Sequence, residues 1–214
     1  MKIFGLEIEN KTDILALSAF LISLGTIMTN IVLMIRGPDV NIIKPDQVAI
    51  VLSQQKQGAG AFVKLVADNY FFNSATPGYD DVVSKMLATM KFSEREINLR
   101  GQYFAITDTD GEKVFERDRK PASPLLIKAR QSGGAEVHYL PYTKDKGRNF
   151  DNYMRWGSFQ NLMQQEKGKS INITFSYETF SGRMGKVDCN VLVTENFIRN
   201  INDKEKNRAD VACY

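Results

Sequence analysis

One histidine, His138, serves a chain of 214 residues, and its scarcity removes most of the chemistry a small enzyme draws on. A hydrolytic triad needs a base beside its nucleophile, usually an imidazole, and a carboxylate to orient it. His138 falls in AEVHYLPY, where Val137 and Tyr139 alternate with Glu136 and His138, so the ring is expected on the solvent face of a strand. Cysteine is nearly as rare. Cys189 and Cys213 lie far from any CxxC spacing, and with one histidine they cannot complete a four-ligand zinc site. They are expected as free thiols, because a bridge requires an oxidising compartment. Cys189 also belongs to the inward face of its strand, where a thiol is inert.

Other signatures are missing too. The chain has neither G-x-x-x-x-G-K-[ST] nor G-x-G-x-x-G. Asp108 and Asp110 begin an EF-hand-like spacing, but Gly111 arrives too early. An Asp-Gly hairpin turn accounts for them better. Asp80 and Asp81 are neighbours on a strand and point to opposite faces. SGGAE, from Ser132 to Glu136, reads as a glycine-rich turn. No catalytic residue, metal site or cofactor is expected, and the chain is read as non-enzymatic. A strong charge excess is also absent: 28 Lys and Arg oppose 25 Asp and Glu, too mild a balance to favour nucleic acid as a partner.

Against that background one segment stands apart. From Ile14 to Ile35 no charged residue occurs, between Asp13 and Arg36. A helix of this length reaches roughly 33 Å, enough for a hydrocarbon core near 30 Å. The mixed start, MKIFGLEIENKTD, lacks the basic character of a secretory signal, and LMIRGPD offers no small-residue cleavage pattern. A retained single-pass anchor over 14–35 in a cell (inner) membrane is expected, after a tail over 1–13. Lys2 and Lys11 nearly balance Arg36 and Lys44, which leaves orientation close to a tie and tips it slightly towards a cytoplasmic C-terminal domain.

The anchor is not uniformly apolar. At about 100° per residue, Ala19, Ser23, Thr26 and Asn30 form one stripe, with Ser18, Gly25 and Thr29 beside it. Phe20, Leu21, Leu24, Ile27, Met28 and Ile31 crowd the opposite side. Small residues let helix backbones approach, and Ser, Thr or Asn can hydrogen-bond across an interface. The stripe is therefore the expected association face, for a homo-oligomer or a partner's transmembrane helix. The competing reading is that each hydroxyl bonds a carbonyl of its own helix.

Beyond a proline-containing linker over 36–46, apolar stretches of strand length arrive in series: QVAIVLS, AFVKLVADNYFF, YDDVVSKMLATMKF, GQYFAIT, KVFERD, PLLIKA, AEVHYLPY, SINITFSYETF and KVDCNVLVT. In SINITFSYETF, Ile171, Ile173, Phe175, Tyr177 and Thr179 share a face; in KVDCNVLVT, Val187, Cys189, Val191 and Val193 do. The expected fold is all-β, a two-layer antiparallel β-sandwich over 47–199. One capping helix, WGSFQNLMQQE, should bury Trp156, Phe159, Leu162 and Met163. A polar tail over 200–214 should fray.

The anchor followed by GPDVNIIKPDQVAIVLS, FVKLVADNYFFNSATPGYDDVV, KPASPLLI and AEVHYLPY resembles a loose group of bacterial membrane-anchored proteins. These have one N-terminal transmembrane helix and an immunoglobulin-like sandwich. The resemblance implies that fold and no particular reaction.

One surface patch remains. PYTKDKGRNFDNYMRWGSF places Lys144, Lys146, Arg148 and Arg155 among Tyr142, Phe150, Tyr153 and Trp156. Mixed cations and rings suit a lipid surface or single-stranded nucleic acid. Packing of the capping helix explains the rings equally well, and Asp145 and Asp151 dilute the charge. The functional expectation is an interaction or scaffold subunit of a membrane complex, held at the lipid bilayer. The alternative is a sensor or effector of an envelope or phage-defence system that binds nucleic acid or a ligand.

Overall fold

A computed structural model describes residues 2–3, 6–7, 11–53, 62–104, 120–141, 154–203, 206 and 208–214. The chain divides into two compact units, Met1–Gly37 and Pro38–Tyr214. In the first, β1 (Lys2–Ile3) pairs antiparallel with β2 (Leu6–Glu7), and α1 runs from Lys11 to Arg36. Leucine, alanine and methionine favour this helix. It stops where Gly37 takes a left-handed conformation at φ 62° and Pro38 follows, a pairing that cannot continue a helix.

The second unit contains β3 (Val40–Ile43), β4 (Gln47–Ser53), β5 (Phe62–Asn73), β6 (Asp81–Lys91), β7 (Glu96–Phe104), β8 (Lys120–Pro121), β9 (Leu125–Ile127) and β10 (Ser132–Pro141). After these come α2 (Trp156–Gln165), β11 (Ser170–Thr179), β12 (Met184–Leu192), α3 (Glu195–Asn202) and β13 (Arg208–Ala212). The strands form one antiparallel sheet in the order β12-β11-β6-β7-β10-β5-β4-β13, with β3, β8 and β9 paired to its flanks. The path nearly closes on itself. Asn190, on the first strand, and Tyr214, just beyond the last, exchange two backbone hydrogen bonds of 3.2 and 3.0 Å. The Tyr177 hydroxyl donates to the Val40 carbonyl beside this seam.

The β-rich composition and the inward faces agree with the sequence pattern, but the layering does not. Two separate sheets were expected; one curled sheet is found. Strands of nine to twelve residues such as β5, β6 and β7 accumulate right-handed twist. Register shifts at Glu178/Thr179 and at His138/Tyr139 bend the sheet further. Its interior is filled: Phe71, Tyr139, Phe175, Leu65, Met86 and Leu99 are fully buried. Tyr139 and Phe175 meet with ring centroids 5.5 Å apart. Two asparagines of β5 are fully buried as well: Asn69 Nδ2 donates to the Ala67 carbonyl at 3.0 Å and Asn73 Nδ2 to the Tyr79 carbonyl at 2.8 Å.

Three boundary expectations are corrected. The linker over 36–46 contributes β3, which pairs with β5 from Val40↔Asn73 to Ile43↔Tyr70. The polar tail over 200–214 supplies the end of α3 and all of β13, which pairs with β4. SGGAE is not a turn but the start of β10, running against β5 from Ser132↔Phe72. Glycine permits this because Gly134 sits at φ 150°, and a Cβ there would lie 2.0 Å from the Asn69 carbonyl oxygen.

A second helix also accompanies the expected one. In α3 the Thr194 hydroxyl accepts from the Phe197 N–H, which caps the helix, and Phe197, Ile198 and Ile201 are buried. In α2 the buried residues are Trp156, Phe159 and Met163. Gln160 of α2 donates to the Ile201 carbonyl at 3.2 Å. Both helices lie at the end where β6 finishes, with Phe92 edge-on to Phe159 at 6.3 Å.

Candidate functional surfaces

The apolar helix is the first surface. Ile14–Val32 has a mean hydropathy of 1.9, and none of that window is buried against the rest of the chain. It is long and apolar enough to cross a membrane, or to act as a signal sequence. Ser18, Ala19, Ser23, Gly25, Thr26, Thr29 and Asn30 are all exposed on it. The hydroxyls bond within the helix: Ser18 to the Leu15 carbonyl at 2.8 Å, Ser23 to Ala19 at 2.9 Å, Thr26 to Ile22 at 2.9 Å and Thr29 to Gly25 at 2.8 Å. Each donor is therefore satisfied without a neighbour. The Asn30 amide makes no hydrogen bond among the described residues.

The basic and aromatic patch is only partly in view. Lys144, Lys146, Arg148 and Tyr153 lie outside the described residues. Arg155 is exposed and forms a bridge with Phe62. Trp156 is 8% exposed, its ring stacked on Phe159 at 5.7 Å. That ring is part of the packing of α2, so it cannot stack on a base without being unpacked.

A charged cluster that sequence reasoning missed lies on the outer face of β10, β5, β4 and β13. Asp68 stands directly across from Glu136, and Val66 across from His138. His138 Nε2 lies 3.0 Å from Glu136 Oε1, and Lys64 Nζ lies 3.4 Å from His138 Nδ1. Arg208 forks onto Asp210, with contacts of 2.6 to 3.0 Å. A shallow depression joins Gln47, Val66, Asp68, Glu136, Arg208 and Asp210. Burial, then the charge of Glu136, raises the Asp68 carboxyl above its ordinary value. The signal was visible in each strand as polar residues on the outward face. Their partnership depends on a strand pairing that neither segment states. His138 is thus on the outward face, as expected, but engaged rather than bare.

Asp68 carries a pH consequence. Its proton is held more tightly in the folded chain, so this group's unfavourable contribution develops as pH rises through the raised value and vanishes when both states are protonated. Asp68→Asn should stabilise the protein slightly at neutral pH, by less than about 1 kcal/mol, because the carboxyl is largely exposed and its repulsion is screened by solvent. The gain should disappear below the ordinary value of 3.8. Denaturant titrations at both pH values would measure it, and an unchanged neutral stability would remove the repulsion from consideration.

Two buried carboxylates are structural. Asp81 accepts from the Val82 N–H at 2.8 Å and from the Ser181 hydroxyl at 2.5 Å. Burial pushes its pKa up, but the hydrogen bonds from Ser181, Thr179 and the backbone outweigh it, and the net shift is downward. Glu166 accepts from the Ser93 hydroxyl at 2.8 Å, and this bond, against burial and with help from Lys169, lowers its pKa. Both tie loop residues to the sheet and helix beside them. Among the described residues no group of three or more His, Cys, Asp or Glu is placed to hold a metal.

Cys189 and Cys213 correct the sequence reading. They are joined as a disulfide with their Cα atoms 4.9 Å apart, inside the span of about 4.4–6.8 Å such bridges use. Nothing in the local spacing signals this, because NRADVACY has the polar composition of a fraying tail. No protein-family model and no curated protein matches the sequence.

Proposed function

We propose that this chain is a single-pass membrane protein whose β-barrel-like unit serves as a non-enzymatic interaction or scaffold module in a membrane complex. The observation that carries the reading is the apolar window Ile14–Val32, long enough to span a bilayer and with none of its residues buried. Burying that surface in lipid is worth far more than leaving it in water, at about 25 cal/mol per Å². The Cys189–Cys213 bridge favours display of the barrel on an oxidising face of the membrane, the opposite of the slight preference drawn from the flanking charges.

Association through the anchor rests mainly on Gly25 and Asn30, since the four hydroxyls are already bonded within the helix. Replacing both with leucine should weaken association in detergent or bilayers by roughly 1–2 kcal/mol, about an order of magnitude. Leu24→Ala and Ile31→Ala, on the other side, should not. Cross-linking along the helix would measure this. Equal behaviour of the two faces would leave the helix as a plain tether.

A further inference from the structure

The barrel has two unlike ends. One is covered by α2 and α3. The other receives the chain from α1: Asp39 is pinned there, its carbonyl accepting from the Ser74 N–H at 2.9 Å. No helix among the described residues covers this rim, which gathers the start of β3, the end of β5, the start of β6, β9, and the turn between β11 and β12. It is also where large apolar side chains stand in water. Phe180 is 73% exposed, Met184 78%, Leu126 53% and Phe72 40%. They are grouped by pairing. Leu126 lies across from Val82, and the Phe180 N–H donates to the Val82 carbonyl at 2.9 Å.

Cations accompany them. Lys128 and Arg130 follow β9, and Arg183 precedes β12, all three exposed. Three carboxylates share the rim and keep their charge while bonding locally: Asp39 bonds Ser74, Asp80 accepts from the Ala129 N–H, and Asp81 is buried on Ser181. Exposed apolar and aromatic tips set among Lys, Arg and Asp side chains match the mixed charges of a headgroup layer over acyl chains.

We infer that this rim is a lipid-contact surface, seated in the interfacial layer of the same bilayer that α1 crosses. The inference rests on the membrane-spanning reading above. Chain length supports it: α1 ends at Arg36, and the three steps to Asp39 span at most about 11 Å when fully extended. The interfacial layer on each side of the hydrocarbon is roughly 5–8 Å deep. A rim so tethered stays within reach of lipid, and Phe180 and Met184 supply the side chains that enter it.

Tryptophan quenching in the full-length protein tests this. In a Trp156→Phe background, Phe180→Trp, Met184→Trp, Leu192→Trp and Ile22→Trp would each place one reporter. The bilayers would contain phosphatidylcholine and phosphatidylglycerol with brominated acyl chains. Emission from positions 22, 180 and 184 should be lost relative to unbrominated vesicles. Position 192, on β12 near the helix-covered end, should keep its emission. Loss at 22 without loss at 180 and 184 overturns the rim inference and leaves the span intact. Equal loss at 180 and 192 also overturns it. No loss at 22 overturns the span itself, and the rim inference with it.

Discussion

Cys213→Ser should lower the stability of the barrel by about 3.5 kcal/mol at 25 °C, the loop-closure entropy for a separation of 24 residues. The position of the bridge makes the loss consequential. It lies where the sheet path closes, next to the paired backbone bonds of Asn190 and Tyr214. Without it, β13 is held by its pairing with β4 and by that short seam. The variant should show an earlier denaturation midpoint and faster hydrogen exchange in residues 208–214. Thiol labelling settles the compartment: after blocking free thiols at lysis and denaturing, neither cysteine should react until a reductant is added. Labelling of both without reductant, with Cys213→Ser as stable as the parent, would return the unit to a reducing compartment. The cytoplasmic orientation would then stand.

Much of the sheet is legible in alternation. Ile171, Ile173, Phe175, Tyr177 and Thr179 are all buried, as their period of two requires, and so are Cys189, Val191 and Val193. Trp156, Phe159 and Met163 face inward from α2 as their helical spacing requires. What alternation cannot express is which strand lies beside which. The choice between one curled sheet and two stacked ones is made by strand length, bulges and the meeting of β12 with the end of β13. Local polarity misled at the edges. NRADVACY looks like a tail because Arg208 and Asp210 face outward, yet Ala209 is buried, and a five-residue strand needs little more. VNII followed by KPD looked like a linker, although Val40 is buried against the Tyr177 side of the barrel.

The surfaces divide the same way. A charge-free run is a property of consecutive residues, and it can be read directly. The Asp68–Glu136 opposition is a property of two strands more than sixty positions apart, and it emerges only from their register. The rim is also invisible in sequence, since Leu126, within PLLIKA, and the distant Phe180 come together only when β9 and the β11–β12 turn are brought to either side of Val82.

Trp156→Ala should cost about 3–5 kcal/mol of stability, the range for removing a large aromatic side chain from a core. Its ring is stacked on Phe159, which is itself edge-on to Phe92, so truncation opens a void beneath α2 where the helix covers the end of the barrel. Backbone bonds hold Phe92 to Arg95 and Met154 to Val63, which limits how far the surroundings relax into that space. The same substitution separates the two readings of the basic and aromatic patch. If Trp156 were a stacking platform for nucleic acid, its loss would cut salt-sensitive retention and leave stability near the parent value. As a core residue it should do the reverse: the denaturation midpoint falls, and retention of the folded full-length protein on single-stranded nucleic acid is unchanged. Arg155→Ala is the matched control. That side chain is exposed, and its removal should leave stability within about 0.5 kcal/mol. A stable Trp156→Ala protein that has lost nucleic-acid retention would reject the packing role and restore the sensor or effector reading.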